Sequence, residues 1–182
     1  MDPFDLIHEF YNPNSEIYSI LVEHSKQVTE KALKIAKNVQ WLNPDLEFIK
    51  QAAMLHDIAI FQTNAEEIGC HGTNPYVVHG LLGRKILEKK GLPRHALVCE
   101  RHVGVGISRE EITDHKLPLP VRDMIPQSIE EIIICFADKF FSKDPDLNQR
   151  EKSFTEVVES ISRYGRKQAN RFLEWKSLLH YS

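Results

Sequence analysis

Apolar residues recur every three or four positions along most of this chain, and that spacing predicts helix almost throughout. Between Ser15 and Val39 they fall at Ile17, Leu21, Val28, Ala32, Ile35 and Val39, which defines one apolar face with His24 on the same stripe. A second helix is expected from about Asn43-Pro44, carrying Leu46, Ile49 and Ala53 and running on to His56. Asn64, Gly69, Gly72 and Asn74-Pro75 mark Phe61–Pro75 as a loop. Helices resume over about Tyr76–Lys90 and Arg94–His102, separated by Gly91-Leu92-Pro93, and a short one is expected over Ser108–His115. Pro118, Pro120 and Pro126 then forbid regular helix.

Ser128-Ile129-Glu130-Glu131 has the spacing of a capping box, and the helix it opens is apolar on most sides as far as Phe141. A helix of that kind belongs at the centre of a fold. A last amphipathic helix, divided near Gly165, is expected from Ser153 to His180. Three turns, Asn12-Pro13-Asn14, Asn43-Pro44-Asp45 and Asp144-Pro145-Asp146, separate helical stretches, each with a capping side chain beside a proline. No segment shows clean strand alternation, and there is no internal repeat. The fold class is all-α, and 182 residues favour one domain with one sizeable core.

Composition narrows the setting. Hydrophobic residues make up 42% and charged residues 27%, as in globular domains, and the net charge is −3. That balance argues against general nucleic-acid binding and against a membrane-surface protein. No apolar run approaches the ~20 residues needed to cross a bilayer. Cys70, Cys99 and Cys135 are odd in number and form no CxxC pair, which points to a reducing compartment. The opening Met-Asp-Pro-Phe-Asp-Leu lacks the apolar run of a secretory signal, so a cytoplasmic location is expected.

Polar residues set inside apolar segments carry the chemistry. His56-Asp57 interrupts Ala52-Ala53-Met54-Leu55 and Ile58-Ala59-Ile60, and Asp138 ends Ile132-Ile133-Ile134-Cys135-Phe136-Ala137. A buried carboxylate without a partner costs several kcal/mol, and a divalent cation ringed by imidazoles is an economical partner. With His24, His79 and His102 these residues form an ordered set of six candidate metal ligands: His24, His56, Asp57, His79, His102 and Asp138. Taken singly, each has a plainer reading. His24 fits a hydrogen-bonded core histidine, His56-Asp57 a buried polar pair, and Asp138 a cap or a salt bridge. His79 fits a surface or capping role, and His102 a helix terminus. Taken together, on separate helices of a small core, they favour a site for a divalent Fe, Mn, Co, Ni or Zn ion. His8, His115 and His180 read as surface residues, and His95 as structural or a support for a ligand. His71 is a loop histidine weighed between the surface and substrate contact. Cys99 and Cys135 read as core.

The H…HD…H…H…D order resembles the HD-domain superfamily of metal-dependent phosphohydrolases over roughly Ser15 to Phe141. His79 and His102 resemble the subset with two metals, and the segments Glu100–Gly106 and Ile125–Glu131 look most like small HD-domain proteins. The resemblance implies one HD domain over 1–182, with a motif core at about 15–141 and a helical extension over 142–182. It also implies one metal on His24, His56, Asp57 and Asp138, and a second bridged by Asp57 to His79 and His102. The implied reaction is attack of a metal-bound hydroxide on a nucleotide or another small phosphorylated metabolite, with Asp57 central. Many such enzymes carry a basic residue three positions after the Asp of the HD pair. Here that position is Ile60. The phosphate-binding cation is therefore sought among Arg101, Lys139, Arg84 and Arg122, with Arg101 and Lys139 carried forward as catalytic candidates. The GYP tripeptide is absent, which argues against cyclic-dinucleotide cleavage. Two other readings share the residue set: a di-iron oxygenase of the same superfamily and a non-catalytic helical binding module.

Overall fold

A computed structural model describes residues 1–144 and 150–181 of the chain. The helices are α1 (Pro3–Phe10), α2 (Glu16–Asn38), α3 (Leu46–Leu55), α4 (His79–Lys89), α5 (Pro93–Arg101), α6 (Arg109–Asp114), α7 (Ile129–Asp138), α8 (Phe154–Ser162) and α9 (Arg166–Leu178). The all-α reading holds, with one small addition. The Phe61–Pro75 loop contains β1 (Thr63–Ala65), β2 (Cys70–His71) and β3 (Asn74–Pro75), in the order β2-β1-β3. β1 pairs antiparallel with β2, setting Asn64 opposite His71, and parallel with β3, setting Thr63 opposite Asn74. Strands of two or three residues are too short to display alternation. Gly72 closes this sheet, since a Cβ there would lie 2.1 Å from the Gln62 carbonyl carbon.

Side-chain caps start the principal helices. Ser15 caps α2, and Asp45 Oδ1 accepts from the Phe48 N–H at 2.9 Å to cap α3. Pro13 and Pro44 therefore lie outside the helices they precede. The Asp144-Pro145-Asp146 turn falls outside the described residues, apart from Asp144. At α7 only half of the expected capping box forms. Ser128 Oγ accepts from the Glu131 N–H at 3.2 Å, while the Glu131 carboxylate takes the Gln127 N–H and the Arg101 guanidinium instead. A charged donor outcompetes the backbone amide that would complete the box.

Two helices stop earlier than their apolar patterns suggest. α3 ends at Leu55, so His56 and Asp57 occupy the turn after it, closed by Ile58 N–H to Leu55 O and Ile60 N–H to Asp57 O. α7 ends at Asp138 rather than Phe141. The apolar residues beyond each end remain largely buried, which is why periodicity overshoots.

The core has two apolar clusters. One gathers Val28, Ala32 and Ile35 of α2 with Ile49 and Ala53 of α3, Ile133–Ala137 of α7 and Phe172 of α9. Its aromatic centre is Phe136 stacked on Phe172, with ring centroids 4.4 Å apart. The other joins α1, Ile20 and Leu21 of α2, Leu55, Ile58, Leu87 and Cys99. His24 lies between Leu21 and Val28, and His56-Asp57 between Ala53 and Ile58, where the chain passes from one cluster to the other. α4 packs tightly on α5 through two glycines. A Cβ on Gly80 would sit 2.4 Å from the Cys99 carbonyl oxygen, and one on Gly83 would sit 3.2 Å from Cys99 Cβ.

Candidate metal centre

Three imidazoles are held in the same way. The Nδ1 of His56 faces Ala53 O at 2.7 Å, that of His79 faces Tyr76 O at 2.6 Å, and that of His102 faces Cys99 O at 2.7 Å. A carbonyl only accepts, so each Nδ1 carries the proton and each Nε2 presents a lone pair. For His56 and His102 the geometry follows from a helix end, where the ring takes a carbonyl three residues back in place of a continuing amide. His79 opens α4 and reaches back to the preceding turn.

Those Nε2 atoms, and that of His24, whose Nδ1 has no hydrogen-bond partner among the described residues, face two carboxylates. His24 Nε2 lies 2.9 Å from Asp138 Oδ1 and 3.4 Å from Asp57 Oδ2. His56 Nε2 lies 3.0 Å from Asp57 Oδ2 and 3.4 Å from Asp138 Oδ1, aligned as a hydrogen bond to neither. On the other side of Asp57, His79 Nε2 and His102 Nε2 each lie 3.2 Å from Oδ1 and 3.0 Å from each other. The six residues are all buried. Their ligand atoms fall into two sets, His24–His56–Asp57–Asp138 and Asp57–His79–His102, each within 4.8 Å.

A buried cluster of acceptors facing acceptors fits a cation. His79 and His102 with both Nδ1 protons committed cannot hydrogen-bond each other as neutral rings, and His56 Nε2 has no hydrogen-bond partner among the described residues. Nitrogen and carboxylate donors of this kind suit divalent transition metals, and histidines orient by giving the second ring N–H to a carbonyl. Without a cation, protons take its place. Burial opposes charge on His56, yet Asp57 and Asp138 outweigh it and lift its pKa to about 9. Burial, together with neighbouring His56, holds His102 down to about 3, against the pull of Asp57. Asp57 stays well below the usual carboxylate range because His56 and Lys143 outweigh its burial, and Lys139 and Lys143 do the same for Asp138.

The basic candidates divide. Lys139 Nζ donates to Asp138 Oδ2 at 2.5 Å and to His102 O at 3.0 Å, so it ties an α7 residue to the end of α5. Arg101 pairs through both Glu131 oxygens at 3.0 and 2.9 Å. Arg84 and Arg122 share the two oxygens of the buried Glu100. The residue that sequence reasoning missed is Lys143, whose Nζ lies 2.6 Å from Asp57 Oδ2. Tyr76 shares that hydrogen bonding, and its ring tilts over His79 at 4.6 Å. Lys143 sits among polar residues beyond α7, where a charged side chain reads as solvated, so no sequence signal singles it out. His71 is exposed on β2, as are His8, His115 and His180 elsewhere. His95 is buried edge-on against Phe48.

Comparison with known proteins agrees with the motif. A family model described as "HD domain" matches residues 21–142. A tRNA (cytidine(56)-2'-O)-methyltransferase of Thermoplasma volcanium is 32% identical over 151 residues, covering 79% of this chain and 40% of that protein. One of the same name from Picrophilus torridus is 32% identical over 133 residues, or 72% and 34%. An uncharacterised protein of Methanocaldococcus jannaschii is 33% identical over 139 residues, 74% of this chain and 75% of that one. The chain thus spans well under half the length of the two methyltransferases. No solved structure matches it. No helix among the described residues is long and apolar enough to cross a membrane.

Proposed function

The chain belongs to the HD-domain family, and on that footing we propose that it is a divalent-metal-dependent phosphohydrolase acting on a nucleotide or other small phosphorylated metabolite. One observation carries the reading: three histidines with fixed Nδ1 protons turn their Nε2 lone pairs, with two carboxylates, into one buried site. His24, His56, Asp57 and Asp138 would hold one ion, and His79 and His102 a second, with Asp57 giving one oxygen to each. Divalent ions bound there supply Lewis-acid polarisation of a phosphoryl oxygen and activate water near neutral pH.

The chain's own residues set the rest. Asp57 fixes the separation of the two half-sites because its oxygens face opposite ways. Lys139 holds Asp138 and the His102 carbonyl in one arrangement, a positioning role. The buried surroundings limit water and strengthen each electrostatic contact. Names of two relatives as tRNA methyltransferases favour ribonucleotides as the first substrates to assay, and methyl transfer itself is not carried over to this shorter chain.

The test is anaerobic purification with elemental analysis, then a panel of phosphomonoesters and nucleotide phosphodiesters with Mn, Fe, Co or Ni added. Metal-dependent phosphate or nucleotide release that a chelator abolishes is the expected result. Dioxygen uptake without phosphate release would replace this reading with an oxygenase.

A further inference from the structure

Three positions after Asp57 stands the apolar Ile60, so a basic side chain that grips an anion at this site must come from elsewhere in the chain. Among the described residues, each cation proposed from sequence already has an anionic partner: Arg101 has Glu131, Arg84 and Arg122 have Glu100, and Lys139 has Asp138. Lys143 differs in what it touches. Its ammonium-bearing side chain is 14% exposed and lies on Asp57 Oδ2, the oxygen that also faces His24 and His56. That is the oxygen a cation in the first half-site would need.

Charge sets the lysine and a metal against each other. Asp57 and Asp138 are balanced by Lys139 and Lys143, so these four side chains sum to zero. A divalent ion on Asp57 Oδ2 would meet an ammonium 2.6 Å from the same oxygen. Like charges at such separation in a poorly solvated site repel, so a cation on that oxygen weakens the lysine's hold there and the lysine weakens the cation's. Lys143 follows the end of α7 at Asp138, in a stretch without regular helix, and its four-carbon stem lets the ammonium swing while staying beside the site. A metal-loaded site carries surplus positive charge and recruits an anion.

We infer that Lys143 is the phosphate-binding cation of this centre: it occupies Asp57 while the site lacks metal, and metal entry transfers it to the substrate phosphate. This rests on the metal-site reading above and adds a residue and an order of events to it. Lys143 competes with metal and cooperates with phosphate. A plain counter-ion for Asp57 would only compete.

Calorimetry on the full chain separates these roles, with Mn²⁺ as the first probe and inorganic phosphate, added to Mn²⁺-loaded protein, as the second. Lys143→Met keeps the apolar stem and removes the charge. It is expected to bind Mn²⁺ about tenfold more tightly and phosphate about tenfold more weakly than the wild type, with phosphate binding kept in Lys143→Arg. Unchanged phosphate affinity in Mn²⁺-loaded Lys143→Met overturns the inference, as does unchanged Mn²⁺ affinity, while the metal site itself stands. A wild-type protein that takes up no Mn²⁺ overturns the metal-site reading instead.

Discussion

His79 and His102 present their Nε2 atoms to each other at 3.0 Å, and both rings have given their Nδ1 protons to backbone carbonyls. Two lone pairs at that distance repel unless a proton or a cation lies between them. With Asp57 Oδ1 at 3.2 Å from each, the arrangement is a three-donor site. His79→Ala should therefore remove about one equivalent of bound metal and leave the first equivalent in place. Elemental analysis of the purified variant checks this. Unchanged stoichiometry would reduce the centre to one metal.

The pairing of those rings depends on Gly80. A methyl group there meets the Cys99 carbonyl oxygen at 2.4 Å, the same oxygen that fixes His102. Gly80→Ala should push α4 from α5, cost about 1–3 kcal/mol of stability, and weaken the second metal more than the first. Denaturant melts and a metal titration on one sample read both effects. Equal weakening of both metals would mean that the glycine serves packing alone.

Asp57 is the residue whose loss should be least tolerated. Asp57→Ala removes the bridge between half-sites, and hydrolysis should fall by more than about 10³-fold, or about 4 kcal/mol of transition-state stabilisation. Steady-state rates on whichever ester the panel identifies give the comparison. Arg101→Ala should behave otherwise. Its loss strands Glu131, so stability should drop by about 1–3 kcal/mol while the rate changes little.

A proton and a metal would compete for the first half-site. In the metal-free protein the pKa of His56 is raised from 6.5 to about 9 by Asp57 and Asp138 against its burial. A raised pKa contributes stability that is fully present below about 6.5 and is lost as pH rises through about 9. His102, neutral in both folded and unfolded states over the upper part of that range, adds no slope there. The melting temperature of metal-free protein should decline between those pH values, and metal affinity should rise over the same interval as the competing proton leaves. A flat affinity profile would exclude His56 as a ligand.

Much of the site is legible in the sequence, for a physical reason. His24, His56, Asp57 and Asp138 stand out because each interrupts an apolar segment, where an unpartnered polar group is costly. His79 and His102 are harder to read, since their meeting depends on α4 and α5 touching through Gly80 and Gly83, a property of packing rather than of either helix. The ends of α3 and α7 escape the periodicity because the apolar pattern continues into buried turns. The three-strand sheet is too short to announce itself. Lys143 gives no signal, since a lysine past a helix end looks solvated until a partner from another part of the chain, Asp57, is found against it.

The converged Nε2 and carboxylate atoms are expected to hold two divalent ions. Titration of metal-free wild-type protein with Mn²⁺, followed by calorimetry, counts them. Saturation is expected near two equivalents per chain, in line with the two donor sets that meet at Asp57. Binding of no metal at all, by a folded protein with its histidines neutral, would contradict it.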